Sequence, residues 1–329
     1  MRNLKKGLTI ILVLIFAFAI IILSRCGSYF DNGNIQRVGM LVEDSIHDQA
    51  WGTKGYLGLL EIKNEFDVDV YFKEGVQTEL QVYRAIEEFS NKGVNLIFGH
   101  SSVYGKFFKE IQQEYPDIHF VYFNGGYTGE RLTSLNFSSN AMGFFGGMVA
   151  GKMTTTNQVG VIAAYEWQPE IEGFFEGVNY QNPEATVHME FVNAWDDVDQ
   201  AMQYFEKLRA QNVDVFYPAG DSFSVPIIEK VKESNLYSIG FVTEQSDIGE
   251  SSVLTSTIQY VDQLYLLAAK KFNQGKLNGG VQTYDFQDGV IALGEFSQEV
   301  PEYFKESIEQ SVEEYKESNL LPNETNFTN

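Results

Sequence analysis

Short apolar runs alternate with segments of helical period along most of the chain, and the alternation comes in two consecutive sets. The first set of strand candidates is 36–42 (QRVGMLV), 68–73 (VDVYFK), 94–99 (VNLIFG) and 118–123 (IHFVYF). The second is 159–164 (VGVIAA), 186–192 (TVHMEFV), 213–217 (VDVFY) and 237–242 (YSIGFV). These runs are rich in β-branched and aromatic residues, as strands covered on both faces are. The segments between them are amphipathic. Leu80, Tyr83, Ile86 and Phe89 share one helical face, as do Val198, Ala201, Met202, Phe205 and Leu208. Strand–helix alternation predicts parallel sheets with helices on both faces. The stretch Gly93–Ser102 parallels Asn212–Ser222. The fold class expected is therefore α/β, with two similar Rossmann-like lobes and a ligand cleft between them, outside the carboxyl ends of the strands.

The expected boundaries are 35–125 plus about 246–285 for the first lobe and 126–245 plus about 286–318 for the second. Residues 250–262 are expected to cross between the lobes as part of a hinge that lets the cleft close. A helix over 301–317 presents Phe304, Ile308 and Val312 on one face, and 319–329 reads as a flexible tail.

Ahead of the lobes, Arg2, Lys5 and Lys6 precede an apolar run from Leu8 to Leu23, the layout of an export signal or membrane anchor within 1–26. Leu23-Ser24-Arg25-Cys26-Gly27 looks like a bacterial lipobox with Cys26 as the lipidated residue, although Arg25 stands where a small residue is usual. Positive-inside asymmetry then puts the body on the extracytoplasmic face of the cell membrane, on a polar tether over 27–34.

Charge and composition exclude several functions. With 23 Lys+Arg against 45 Asp+Glu the net charge is −22, which opposes binding to nucleic acid. Cys26 is the single cysteine, so no internal disulfide or cysteine zinc site exists, and His47, His100, His119 and His188 are scattered. Gly146-Gly147-Met148-Val149-Ala150-Gly151-Lys152 matches GxxxxGK, but Met153 replaces the metal-binding Ser or Thr and the stretch reads as a helix. Gly143, Gly146, Gly147 and Gly151 fit close helix packing better. Gly220-Asp221-Ser222 has no histidine downstream to activate the serine. No enzyme, metal or cofactor is expected.

Two strand-end segments carry ligand-binding potential. Asp44 and Asp48 can accept hydrogen bonds from a base edge or sugar hydroxyls, and Trp51 can stack on a flat ring. Asp48 as an N-cap and Trp51 as core is the competing reading. Gly220 and Asp221 sit in a loop suited to meeting ligand hydroxyls through backbone N–H groups.

The block Val38-Gly39-Met40-Leu41-Val42-Glu43-Asp44…Asp48-Gln49-Ala50-Trp51 resembles the opening of the basic membrane protein (BMP) family. So do Gly93–Gly99, Tyr115-Pro116-Asp117, Ala141–Lys152, Gly173-Phe174-Phe175-Glu176-Gly177, Ala219-Gly220-Asp221 and Gly240–Gln245, and the likeness covers about residues 36–296. The resemblance implies a type I periplasmic-binding fold and a surface lipoprotein that hands purine nucleosides to an ABC permease. On that pattern Asp44 reads the base and Trp51 stacks on it, with the second aromatic at Trp167 or Phe174. Asn124, Gly220 and Glu244 meet the sugar, and Gln259 stands where a lysine is usual. Trp51–Tyr56, Met142–Met148 and Tyr284–Val290 are similar to a regulatory branch of the family that promotes competence gene expression. That implies an alternative role, acting indirectly from the membrane.

Overall fold

The computed structural model describes residues 34–47 and 51–325. The expected anchor segment, the expected lipidation residue Cys26, and Asp48 lie outside them. Among the described residues no helix is long and apolar enough to cross a membrane.

Two six-stranded sheets form two lobes. The first lobe holds β1 (Arg37–Leu41), α1 (Trp51–Phe66), β2 (Asp69–Lys73), α2 (Glu79–Asn91), β3 (Leu96–Gly99), α3 (Tyr104–Ile111), β4 (His119–Phe123) and β5 (Leu132–Phe137). The chain then crosses into α4 (Ser139–Met153), β6 (Gln158–Ala163), α5 (Pro169–Gln181), β7 (Thr186–Phe191), α6 (Val198–Arg209), β8 (Val215–Ala219), α7 (Ser224–Glu233), β9 (Tyr237–Val242), the short α8 (Ser246–Gly249) and β10 (Val253–Gln259). It returns for α9 (Val261–Asn273), which packs on α1, and β11 (Gly280–Tyr284). A last crossing leads to β12 (Ile291–Leu293) and α10 (Glu302–Ser318). The sheet orders are β2-β1-β3-β4-β5-β11 and β7-β6-β8-β9-β10-β12, all parallel except the β10–β12 pair. This is the expected two-lobed α/β architecture, with a strand-order reversal beside the first strand of each lobe.

Eight strands fall on the apolar runs seen in the sequence. β5, β10, β11 and β12 do not, and the reason is physical. β10 reads Val-Leu-Thr-Ser-Thr-Ile-Gln, yet it is wholly buried. Its hydroxyls are satisfied internally: Thr255 Oγ1 donates to Gly294 O at 3.0 Å, Ser256 Oγ to Glu244 Oε1 at 3.1 Å and Thr257 Oγ1 to Gly240 O at 2.9 Å. Hydrogen bonding of this kind removes the penalty that normally keeps hydroxyls out of a core. The first crossing therefore follows Phe137, not residue 125. Residues 253–259 are a strand of the second sheet, and the second crossing is confined to Tyr260. In α2 the buried face is Val82, Ala85, Ile86 and Phe89, while Leu80 is 58% exposed. The tail is docked as far as Thr325: Leu321 is buried and Asn323 Nδ2 donates to Glu176 at 3.4 Å.

The three crossings are stitched together. Ser138 N donates to Tyr284 O and Tyr260 N to Val290 O, both at 2.8 Å. Tyr315 OH from α10 donates to Asp285 Oδ2 at 2.5 Å and lies 3.3 Å from Ser138 Oγ. Burial and the Asp285 hydrogen bond push the Tyr315 phenol up to about 12.

His119 makes the first lobe sensitive to acid. Its Nε2 lies 2.8 Å from Thr133 Oγ1, whose own hydrogen goes to Asn278 O, so the ring donates there as a neutral imidazole. Burial, with a smaller contribution from Arg131, lowers its pKa from 6.5 to about 4. Between those values the unfolded chain binds a proton that the folded chain does not. Stability is thus intact above pH 6.5 and falls toward pH 4, by on the order of 3 kcal/mol. Denaturant titrations across that window should show a shallower acid limb for His119→Gln than for the native chain. Equal slopes would contradict the assignment.

Candidate functional site

A cleft of about 350 Å³ opens between the lobes at the carboxyl ends of both sheets. Nine of the twelve strands contribute their exits: Glu43 and Asp44 follow β1, His100–Ser102 follow β3 and Asn124 follows β4, with Asn136 and Phe137 ending β5. Opposite them stand Trp167, Gln168 and Glu170 after β6, Trp195 after β7, Asp221 after β8, Phe241 and Val242 ending β9, and Gln259 ending β10.

Trp51 opens α1 and is fixed on several sides. It stacks on His100 at 4.7 Å and 12°, with Phe123 and Phe137 edge-on at 5.8 and 6.3 Å. Its Nε1 donates to His100 O at 3.1 Å, and His100 Nε2 donates back to Trp51 O at 2.6 Å. The remaining ring nitrogen, Nδ1, accepts from Tyr265 OH at 2.9 Å. Trp51 still lines the cleft, so it is anchored by the core and also presents aromatic surface to the cavity. On the facing wall Trp167 is 64% exposed, with Tyr165 stacked on it at 5.2 Å and Trp195 at 6.0 Å and 76°.

Polar groups surround these rings. Asp44 Oδ1 accepts from Gln77 Nε2 at 2.8 Å. Asn124 takes a left-handed backbone (φ 53°), a conformation asparagine tolerates. Val242 is held at φ 61°, with Thr243 N donating to Phe241 O at 2.7 Å. A β-branched residue at that angle is strained by about 1–3 kcal/mol, and such strain clusters at functional sites. Gln259 Nε2 donates to Ser139 Oγ at 3.2 Å, and Lys54 Nζ donates to Gln259 O at 3.2 Å. Gln259 thus joins the cleft floor to the hinge.

Glu170 is only 5% exposed. It is reached by Gln168 Nε2, which donates to Oε1 at 2.9 Å, and burial raises its carboxyl above the ordinary range.

Of the residues singled out in the sequence, Asp44, Trp51, Asn124, Trp167, Asp221 and Gln259 are brought together on the cleft. Three are not. Phe174 is fully buried, stacked on Tyr217 at 4.6 Å. Gly220 lies under Phe223, where a Cβ would come within 2.0 Å of the ring. Glu244 is spent on structure, accepting from Ser246 N, Glu295 N and Ser256 Oγ at 2.8–3.1 Å. Burial raises its carboxyl, but those donors outweigh it and hold the group below the ordinary range. Sequence reasoning missed Glu43, Ser101, Ser102, Asn136, Gln168, Glu170 and Trp195. All but Asn136 lie in the loops and helix starts just after strands, so the strand-exit rule applied to every strand marks them.

Lobes, crossings and interlobe cleft define the type I periplasmic-binding fold, an architecture shared with the solved structures of an ABC transporter solute-binding protein from Conexibacter woesei and an arabinose-binding protein from Geobacillus stearothermophilus. The chain belongs to the Bmp family, described as ABC transporter substrate-binding protein PnrA-like, whose pattern matches residues 35–324. It is 47% identical over 311 residues to the transcriptional activator protein med of Bacillus subtilis (strain 168), covering 94% of this chain and 98% of that one. The crystal structure of a transcriptional activator of the comK gene from Bacillus halodurans superposes with a TM-score of 0.82 at 49% identity, over 87% of this chain and 99% of that one. A purine-binding protein of Brucella abortus (strain 2308) is 22% identical over 258 residues, 78% of this chain and 73% of the relative.

The two aromatic positions offered by the sequence should separate cleanly. Phe174→Ala empties a packed core site and should cost about 3–5 kcal/mol in denaturant unfolding. Trp167→Ala, on an exposed wall, should stay within about 0.5 kcal/mol of the native chain. A reversed order would contradict the placement of both side chains.

Proposed function

We propose that the chain is a membrane-anchored extracytoplasmic binding protein that clasps a purine-nucleoside-like molecule between its lobes, for delivery to an ABC permease or for sensing. The observation that carries this reading is the pairing of indole surface from both lobes, Trp51 and Trp167, across a cleft with Asp44, Asn124, Asp221 and Gln259 on its walls. A flat ring fits between aromatic faces, and hydroxyls need the acceptors and donors around them. Family membership and the purine-binding name of the Brucella relative support it. The apolar N-terminal run and Cys26 supply the anchor, by lipidation or as an uncut helix.

The likeness to two transcriptional activators favours a second role, in which occupancy of the same cleft is relayed to gene expression from the membrane. With a net charge of −22, direct DNA binding is not the route.

Calorimetry of the full-length protein in detergent with purine nucleosides should give a one-site isotherm, with Kd on the order of 10 μM or tighter. The unfolding midpoint should rise with ligand concentration. Absence of heat and of thermal shift with every nucleoside would contradict the reading. A sequence-specific gel shift at physiological salt would contradict the indirect route.

A further inference from the structure

The charges on the cleft are of one sign. Glu43, Asp44, Glu170 and Asp221 line it, and among the described residues no lysine or arginine does. The histidine on its wall, His100, is tied between Trp51 O and Tyr265 OH. Lys54, a part-buried ammonium outside the cleft lining, is turned to Gln259 O in the hinge. Acidic groups gathered in a concave, low-dielectric site focus a negative potential there, which a scattered surface excess does not.

The rings point the same way. All three tryptophans of the chain line this cavity. Trp167 and Trp195 meet at 76°, forming two walls of a corner, with Trp51 on the other lobe. Indole is the strongest of the aromatic faces for a cation. Lysines lie over the rings of Tyr71, Tyr204, Tyr284 and Tyr303. Among the described residues none lies over an indole.

Glu170 is the third and independent observation. It is more than nine-tenths buried on the cleft wall, and among the described residues the donors that reach it are its own backbone N–H and Gln168 Nε2, the latter at Oε1. A carboxylate with two donors keeps acceptor capacity, and burying its charge without a counter-charge is costly. A positively charged N–H or N–alkyl group entering the cleft would relieve that cost.

We propose that the cleft selects its ligand in cationic form: a ring compound bearing a protonated or quaternary nitrogen, held against the indoles and Glu170. The proposal rests on the nucleoside reading for the ring and its hydroxyls, and adds the charge. Phosphorylated nucleosides are disfavoured by the acidic lining.

Matched ligands test it by calorimetry on the full-length protein at about pH 7, where 1-methyladenosine is cationic and adenosine is neutral. The cation should bind at least about ten-fold tighter, roughly 1.4 kcal/mol. The gap should shrink as salt rises from about 0.05 M to about 0.5 M. Adenosine 5′-monophosphate should bind more weakly than adenosine. Glu170→Gln should narrow the gap, and Glu43→Gln, at a less buried position, provides the same readout should the first variant fold poorly. Benzyltrimethylammonium separates the two claims. If adenosine binds as tightly as 1-methyladenosine, the charge selection is overturned and the nucleoside reading stands. If benzyltrimethylammonium binds and no nucleoside does, the nucleoside reading fails and the charge selection stands. If none binds, both fail.

Discussion

The close approach of α4 and α5 sets the geometry of the second lobe and, through it, of the cleft. The helices meet backbone to backbone: a Cβ on Gly173 would lie 1.9 Å from Asn140 O, on Gly177 1.9 Å from Phe144 O, and on Gly143 2.1 Å from Glu170 O. No side chain fits at those positions, so the glycines are a steric requirement. The pair also fixes two points of the site. Ser139, at the start of α4, receives the Gln259 hydrogen bond in the hinge, and the first turn of α5 carries Glu170 to the cleft wall. The GxxxxGK stretch lies inside α4, where its glycines serve helix packing and give no loop around a phosphate.

A binding protein of this architecture works by letting two stiff halves move about a few residues. Here the halves are sheets whose central strands are buried, and the crossings are short and mutually hydrogen-bonded. Tyr315 ties two of them to the C-terminal helix, and Lys54 ties the first lobe to the end of β10. A ligand that touched both walls would favour whichever arrangement of the lobes best brings Trp51 and Trp167 onto it, the closure of the cleft. The same closure can present a closed form to a permease or alter a membrane partner. Transport and regulation thus need no separate site.

The sequence showed the doubly repeated α/β plan because most strands are continuous apolar runs. It concealed β5 and β10, whose buried threonines and serines break the apolar pattern while their hydroxyls find partners on neighbouring strands and loops. The lobe boundaries shifted for that reason, since both strands sit beside crossings. Cleft-lining residues were legible where a motif followed a recognised strand, as with Asp44 and Asp221. Phe174 and Trp167 could not be told apart, because both are aromatic residues near one helix start, and the choice depends on which face of α5 meets Tyr217. Glu244 was misplaced because an acid beside a strand end can serve a ligand or a loop. Here two backbone N–H groups claim it.

The most direct measurement is a crystal structure of the protein purified with whatever small molecule it retains from the cell. The account predicts density for a flat molecule between Trp51 and Trp167, in contact with both lobes. A cleft filled by the chain's own side chains, or ligand density on another surface, would contradict it.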